Sequence, residues 1–150
     1  MIDTATRWKL VAHLLDKTGM SIMKAMILHW MRYLGPPRIL ESDQEGGATS
    51  DFFTREAERL NIVLRFKGSQ GHTGTGLAER HIQLVEVAAL KTWAGVRKHG
   101  TSGIDKVDVV IEVSFAQNTL LGYQGFSPNQ AVFGQNPRGF YELECQTEVG

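Results

Sequence analysis

Two carboxylates in this 150-residue chain stand where a metal-dependent phosphoryl-transfer centre would place two of its three acidic ligands. Asp43 follows the short run Arg38-Ile39-Leu40, which reads as a buried strand ending at Glu41-Ser42-Asp43 before Gln44-Glu45-Gly46-Gly47 breaks the pattern. Glu79 lies beyond 35 intervening residues, in Gly76-Leu77-Ala78-Glu79-Arg80-His81-Ile82, where a glycine-rich loop gives way to helix periodicity. A strand end facing a helix start can bring two such groups over one cation although they are far apart in sequence. Each also has a plainer reading. Asp43 suits a strand-end turn, and Glu79 suits a first helical turn, where the helix dipole favours a carboxylate by about 0.3–1 kcal/mol.

The elements that position this pair must come from a chain of ordinary globular composition. At 150 residues and 42% hydrophobic it can form one domain with its own core. It contains no apolar run long enough to span a membrane, and Met1-Ile2-Asp3-Thr4 lacks the basic and apolar regions of a signal peptide, so an intracellular protein with no membrane partner is expected. The single Cys145 excludes an internal disulfide and a multi-cysteine zinc site. His13, His29, His72, His81 and His99 show no ligand-pair spacing. Net charge is zero but unevenly spread: residues 1–100 carry 14 Lys and Arg against 10 Asp and Glu, and 101–150 carry 2 against 6. The basic surplus falls in the part that holds the carboxylate pair, and it suits either a phosphate-binding face or an ordinary solvated surface.

Along the chain, Met1-Ile2-Asp3 and the apolar stretch Trp8–Leu15 predict a hairpin. Met23, Met26, Ile27, Trp30 and Leu34 recur at helical spacing from Ser21 to Leu34, with Thr18 or Ser21 as N-cap and Gly35-Pro36-Pro37 as the stop. After the strand at Ile39-Leu40, Thr49 or Ser50 caps a second helix through Phe53, Ala57 and Leu60. Ile62–Phe66 has strand length, and the alternation of helix and strand implies parallel pairing of the strands at Ile39 and Val63. Four glycines between Lys67 and Gly76 predict a mobile loop. The long helix after it should turn Ile82, Val85, Ala89 and Trp93 to the core and Glu79, Gln83 and Glu86 elsewhere. Residues 105–121 are β-rich at Val107–Ile111 but have helical length, and helix is the favoured reading. Ser127-Pro128 opens a short helix through Phe133, closed by Gly134, and the acidic segment beyond Pro137 should fray.

Four ordered motifs then resemble a known family. They are Asp3-Thr4-Ala5-Thr6-Arg7-Trp8, Leu40-Glu41-Ser42-Asp43-Gln44, His72 with Gly76-Leu77-Ala78-Glu79-Arg80-His81, and Phe126-Ser127-Pro128 with Ala131-Val132-Phe133-Gly134, Pro137 and Arg138. In this order they resemble the integrase catalytic core of long-terminal-repeat retrotransposons and retroviruses, closest to the copia-like type, with 1–138 as the partial core and 139–150 as a tail. The resemblance implies an α/β, ribonuclease-H-like fold: a mixed five-stranded sheet flanked by helices. It also implies metal-dependent DNA strand transfer, in which Asp, Asp and Glu hold Mg²⁺ or Mn²⁺ through hard oxygen ligands.

By this match Asp43 and Glu79 are the second and third carboxylates, and His72 and Arg80 are DNA contacts. Asp3 falls on the family's second strand, so the first strand and its Asp are expected to be missing, leaving open sheet edges and a chain inactive as written. Replacement of the family's Gln-Asn by Gly74-Thr75 removes amides, and Glu86 on the helix beyond Glu79 would repel phosphate. The implied partners are DNA, both element ends and target, and further copies in a homo-oligomer, with a nuclear location when acting on DNA. A relic of a transposable element that only binds nucleic acid or self-associates is the alternative, and a ribonuclease-H-like nuclease shares the metal chemistry.

Overall fold

A computed structural model describes residues 1–44, 46–66, 72–100, 102–120, 122 and 124–137, with 72–75 as backbone alone. The elements run α1 (Gly19–Met26), a π-helical segment (Ile27–Met31), α2 (Arg32–Leu34), β1 (Ile39–Ser42), α3 (Asp51–Arg59), β2 (Val63–Phe66), α4 (His72–His99), α5 (Lys106–Leu120) and α6 (Pro128–Phe133). They fall into two compact units, Leu10–Val87 and a second that joins Met1–Lys9 to the described part of Ala88–Gly150. None of the described helices is long and apolar enough to cross a membrane.

The first unit is built around β1 and β2. They pair in parallel with Ile39 opposite Val63 and Ser42 opposite Phe66, as the alternation of elements predicts. Of the two candidate N-caps of α1, Thr18 does the work, its hydroxyl accepting from the Ser21 N–H at 3.2 Å. The helix then widens into a π segment before Gly35, at φ 75°, ends it. Ser50 caps α3 by accepting from the Phe53 N–H. The two helix starts touch through glycines: a Cβ on Gly47 would lie 2.1 Å from the Lys17 carbonyl oxygen, and one on Gly19 2.8 Å from the Gly47 carbonyl oxygen. This close approach fixes the turn that leaves β1. Met23, Met26, Phe53, Ala57 and Ile62 form the buried core, with Leu40 and Leu64 packed on it from one face of the strands.

In the second unit the sequence pattern resolves into helix at 106–120 because Asp105 caps it. Its carboxylate accepts from the Val107 and Asp108 N–H groups at 2.7 and 2.9 Å, and the Asp108 carboxylate accepts from the Asp105 N–H. Val109, Val113, Ser114 and Asn118 are buried at positions spread around the helix, and this tertiary burial outweighs the β propensity of the valines. The α6 helix forms as expected, with a capping box between Ser127 and Gln130, Pro128 in its first turn and Gly134 left-handed at its end.

Several expectations are corrected. Among the described residues the sheet has two strands, β1 and β2. The predicted hairpin reduces to one antiparallel bridge between Ile2 and Lys9, and Leu10–Leu14 form no strand. On the side of Lys9 away from Ile2, the Asn118 carboxamide Oδ1 accepts from the Lys9 N–H at 3.0 Å while its Nδ2 donates to the Lys9 carbonyl at 2.7 Å. One side chain takes the place of a partner strand. Gly74 and Gly76 of the expected glycine-rich loop belong to α4, which already runs from His72; residues 67–71 lie outside the described ones. Val85 and Ala89 are buried on α4, but Ile82 is 56% exposed. The inner face passes through the less exposed Ala78, His81, Val85 and Ala89, and Ile82 stands at its border. The expected fraying beyond Pro137 concerns residues 138–150, outside the described ones.

Three measurements test this account. Phe53→Ala, emptying the centre of the Met23 cluster, should lower unfolding free energy by about 3–5 kcal/mol in urea titrations, and a loss below 1 kcal/mol would contradict its place there. Asn118→Ala should cost about 1–3 kcal/mol, since it strands a buried backbone donor and acceptor at Lys9. The Ser21 hydroxyl, with the Thr18 hydroxyl and amide, holds the Asp16 carboxyl down to about 2 from 3.8. Its support of α1 is therefore complete above about pH 4 and is lost as pH falls through about 2. A carboxyl carbon NMR titration of Asp16 with its midpoint near 3.8 would show that these bonds do not form in solution.

Candidate functional site

Asp43 sits one residue past the C-terminal end of β1, and Glu79 lies in α4, both within the Leu10–Val87 unit. Both side chains are exposed. The Ser42 hydroxyl donates to Asp43 Oδ1 at 3.3 Å, and neither carboxylate forms an ion pair with a described residue. Because α4 starts at His72, Glu79 stands two turns into the helix, not in its first turn. The helix-dipole explanation for a carboxylate at this position therefore fails, since that field acts over the first turn.

Strand alternation decides what surrounds Asp43. Leu40 and Leu64 face the core, so Ile39 and Glu41 of β1 and Val63 and Arg65 of β2 occupy the opposite face, and all four are exposed. Register places Glu41 against Arg65, and the Arg65 Nη1 to Glu41 Oε1 distance is 3.9 Å. With side chains 59% and 40% exposed, such a pair contributes at most about 1 kcal/mol. Parallel pairing also sets the C-terminal ends of both strands on one side, the side on which open α/β sheets take their ligands.

Of the other sequence-derived candidates, Arg80 is exposed on α4 next to Glu79, while the His72 side chain is outside the described ones. Asp3 belongs to the other unit and is used locally: its carboxylate accepts from the Thr6 hydroxyl and from the Thr6 N–H at 2.9 Å, closing the turn to Trp8. Among the described residues no three His, Cys, Asp or Glu side chains come together in a cluster able to hold a metal. Asp43 and Glu79 each offer hard carboxylate oxygens, the ligand type by which Mg²⁺ is held when water completes its shell.

Sequence reasoning missed a polar cluster in the second unit. The Trp8 indole N–H donates to Asn129 Oδ1 at 3.0 Å, Asn129 Nδ2 donates to Thr119 Oγ1 at 3.0 Å, and the Lys9 ammonium donates to Gln117 Oε1 at 2.9 Å. Trp8 also meets Phe133 edge to face at 5.9 Å between ring centres. The available signal was an asparagine at 118 near the end of a valine-rich helix, where a poor helix former needs a partner if it is buried.

Comparison of the sequence finds no matching family model and no matching curated protein. Comparison of the fold finds retroviral integrases. The chain superposes with a TM-score of 0.74 on a chain of the simian T-cell lymphotropic virus intasome in complex with PP2A regulatory subunit B56 gamma, at 17% identity, over 92% of this chain and 48% of that one. It thus spans about half the length of that relative. The HTLV-2 integrase catalytic core domain in complex with magnesium, in its trimeric form, matches at 0.70 and 16% identity over 87% of this chain and 80% of that one. The BIV integrase catalytic core domain matches at 0.68 and 14% identity over 89% and 82%. Over most of its length, therefore, the chain has the ribonuclease-H-like fold of the retroviral integrase catalytic core.

Proposed function

We propose that this chain is an integrase-core domain concerned with DNA integration, and that Asp43 and Glu79 are its metal-binding carboxylates. The observation that carries the reading is the fold likeness to integrase cores over 86–92% of the chain. The ordered motifs that hold both acids support it from the sequence side. An origin in a long-terminal-repeat retrotransposon, DNA ends and target as substrates, and action in the nucleus belong to the same proposal. Self-association does too, and the HTLV-2 core domain is described in both trimeric and dimeric forms. A divalent cation at Asp43 and Glu79 would stabilise charge on a transferring phosphoryl group. Arg80, exposed beside Glu79, would face the nucleic acid there.

One observation favours the alternative, a module that binds nucleic acid or self-associates without turnover. No three His, Cys, Asp or Glu side chains gather among the described residues, and on that reading the chain by itself joins no ends. Strand-transfer assays with Mg²⁺ or Mn²⁺, on this chain and on one extended upstream by a strand carrying an aspartate, separate the two readings. Joined product from the extended chain, reduced to background by Asp43→Asn and by Glu79→Gln, is the result the integrase reading requires. Product that survives both substitutions would remove these carboxylates from the site. DNA binding with no rescue by the extension would leave the non-catalytic module.

A further inference from the structure

We propose that Arg65 is a phosphodiester contact of this site, held in reserve by Glu41 until nucleic acid displaces it. The inference rests on the nucleic-acid reading above and names a residue that the sequence motifs do not mark. Glu41 and Arg65 are register partners, each one residue from the C-terminal end of its strand, and Asp43 follows two residues after Glu41. A polyanion approaching Asp43 from that side meets the carboxylates of Glu41 on β1 and of Asp43 just beyond it, and is repelled unless a cation lies next to them. Arg65 lies across the ladder on the same exposed face.

The state of the pair suits exchange. Its closest approach is 3.9 Å, well outside the roughly 2.7–2.9 Å of a charge-assisted hydrogen bond, and both side chains reach solvent. A phosphate offers the planar guanidinium a bidentate partner that this carboxylate, at that distance, does not. Ile39 and Val63, exposed on the same face, leave an apolar floor on which a deoxyribose could rest. Glu41 then acts as an internal competitor, so that removing it should help binding only while Arg65 is present.

The test is fluorescence anisotropy of the whole chain with a labelled 30-base-pair duplex across 50–200 mM KCl. It uses Arg65→Gln, Glu41→Gln, the double variant, and Arg55→Gln on α3 as a control for generic loss of charge, each checked for folding by circular dichroism. Arg65→Gln should weaken binding several-fold and flatten the log-log salt dependence by about one unit. Glu41→Gln should tighten binding, and that gain should vanish in the Arg65→Gln background. The inference is overturned if Arg65→Gln binds like the parent or no worse than Arg55→Gln, or if the Glu41→Gln gain persists without Arg65. If the parent shows no salt-dependent binding at all, the nucleic-acid reading falls and the inference with it.

Discussion

Parallel strands cannot be joined by a tight turn, and that requirement organises the part of this chain that holds its candidate chemistry. To lay β2 beside β1 in register, the chain must leave β1, cross over through α3 and return, and the crossover must bury an apolar face to hold its place. Phe53 and Ala57 supply that face, and Met23 and Met26 of α1 receive it. Gly19 and Gly47 let the two helix starts approach where any side chain would collide with backbone. The outcome is a strand end whose exit is fixed, with Asp43 on it and solvent beyond.

The same pairing leaves a face uncovered. Parallel sheets are ordinarily sheltered on both sides, yet here Ile39, Glu41, Val63 and Arg65 are exposed. Core packing on one face and an open, mixed apolar and charged surface on the other give this small sheet two different roles. One face stabilises. The other carries Glu41 directly opposite Arg65, one residue from the strand ends.

The second unit shows a different solution to the problem of backbone satisfaction. Where the first unit uses a strand, the segment around Lys9 uses the carboxamide of Asn118, which offers a donor and an acceptor spaced like a peptide group. Around it the Trp8 indole, Asn129 and Thr119 complete a buried chain of hydrogen bonds. Such a cluster is costly if incomplete and specifying when complete, because each buried polar group lost from it leaves another without a partner.

Local chemistry in the sequence determined most of the helix starts and the strand pairing. Thr18, Ser50 and Ser127 are capping residues by their hydroxyls, Gly35 and Gly134 end helices by their conformational freedom, and Val63 and Ile39 are strand formers separated by a helix's length. Asp43 and Glu79 were also legible, because an acid at a strand end and an acid on a helix are positions set by local pattern. Tertiary structure alone decided the rest. Asn118, 109 residues further on, satisfies the backbone N–H and carbonyl of Lys9, a pairing that no local pattern contains. Helix propagation ran back to His72 through two glycines, moving Glu79 two turns from the helix start. The pairing of Glu41 with Arg65 depends on strand register, a long-range property that no local pattern of residues contains.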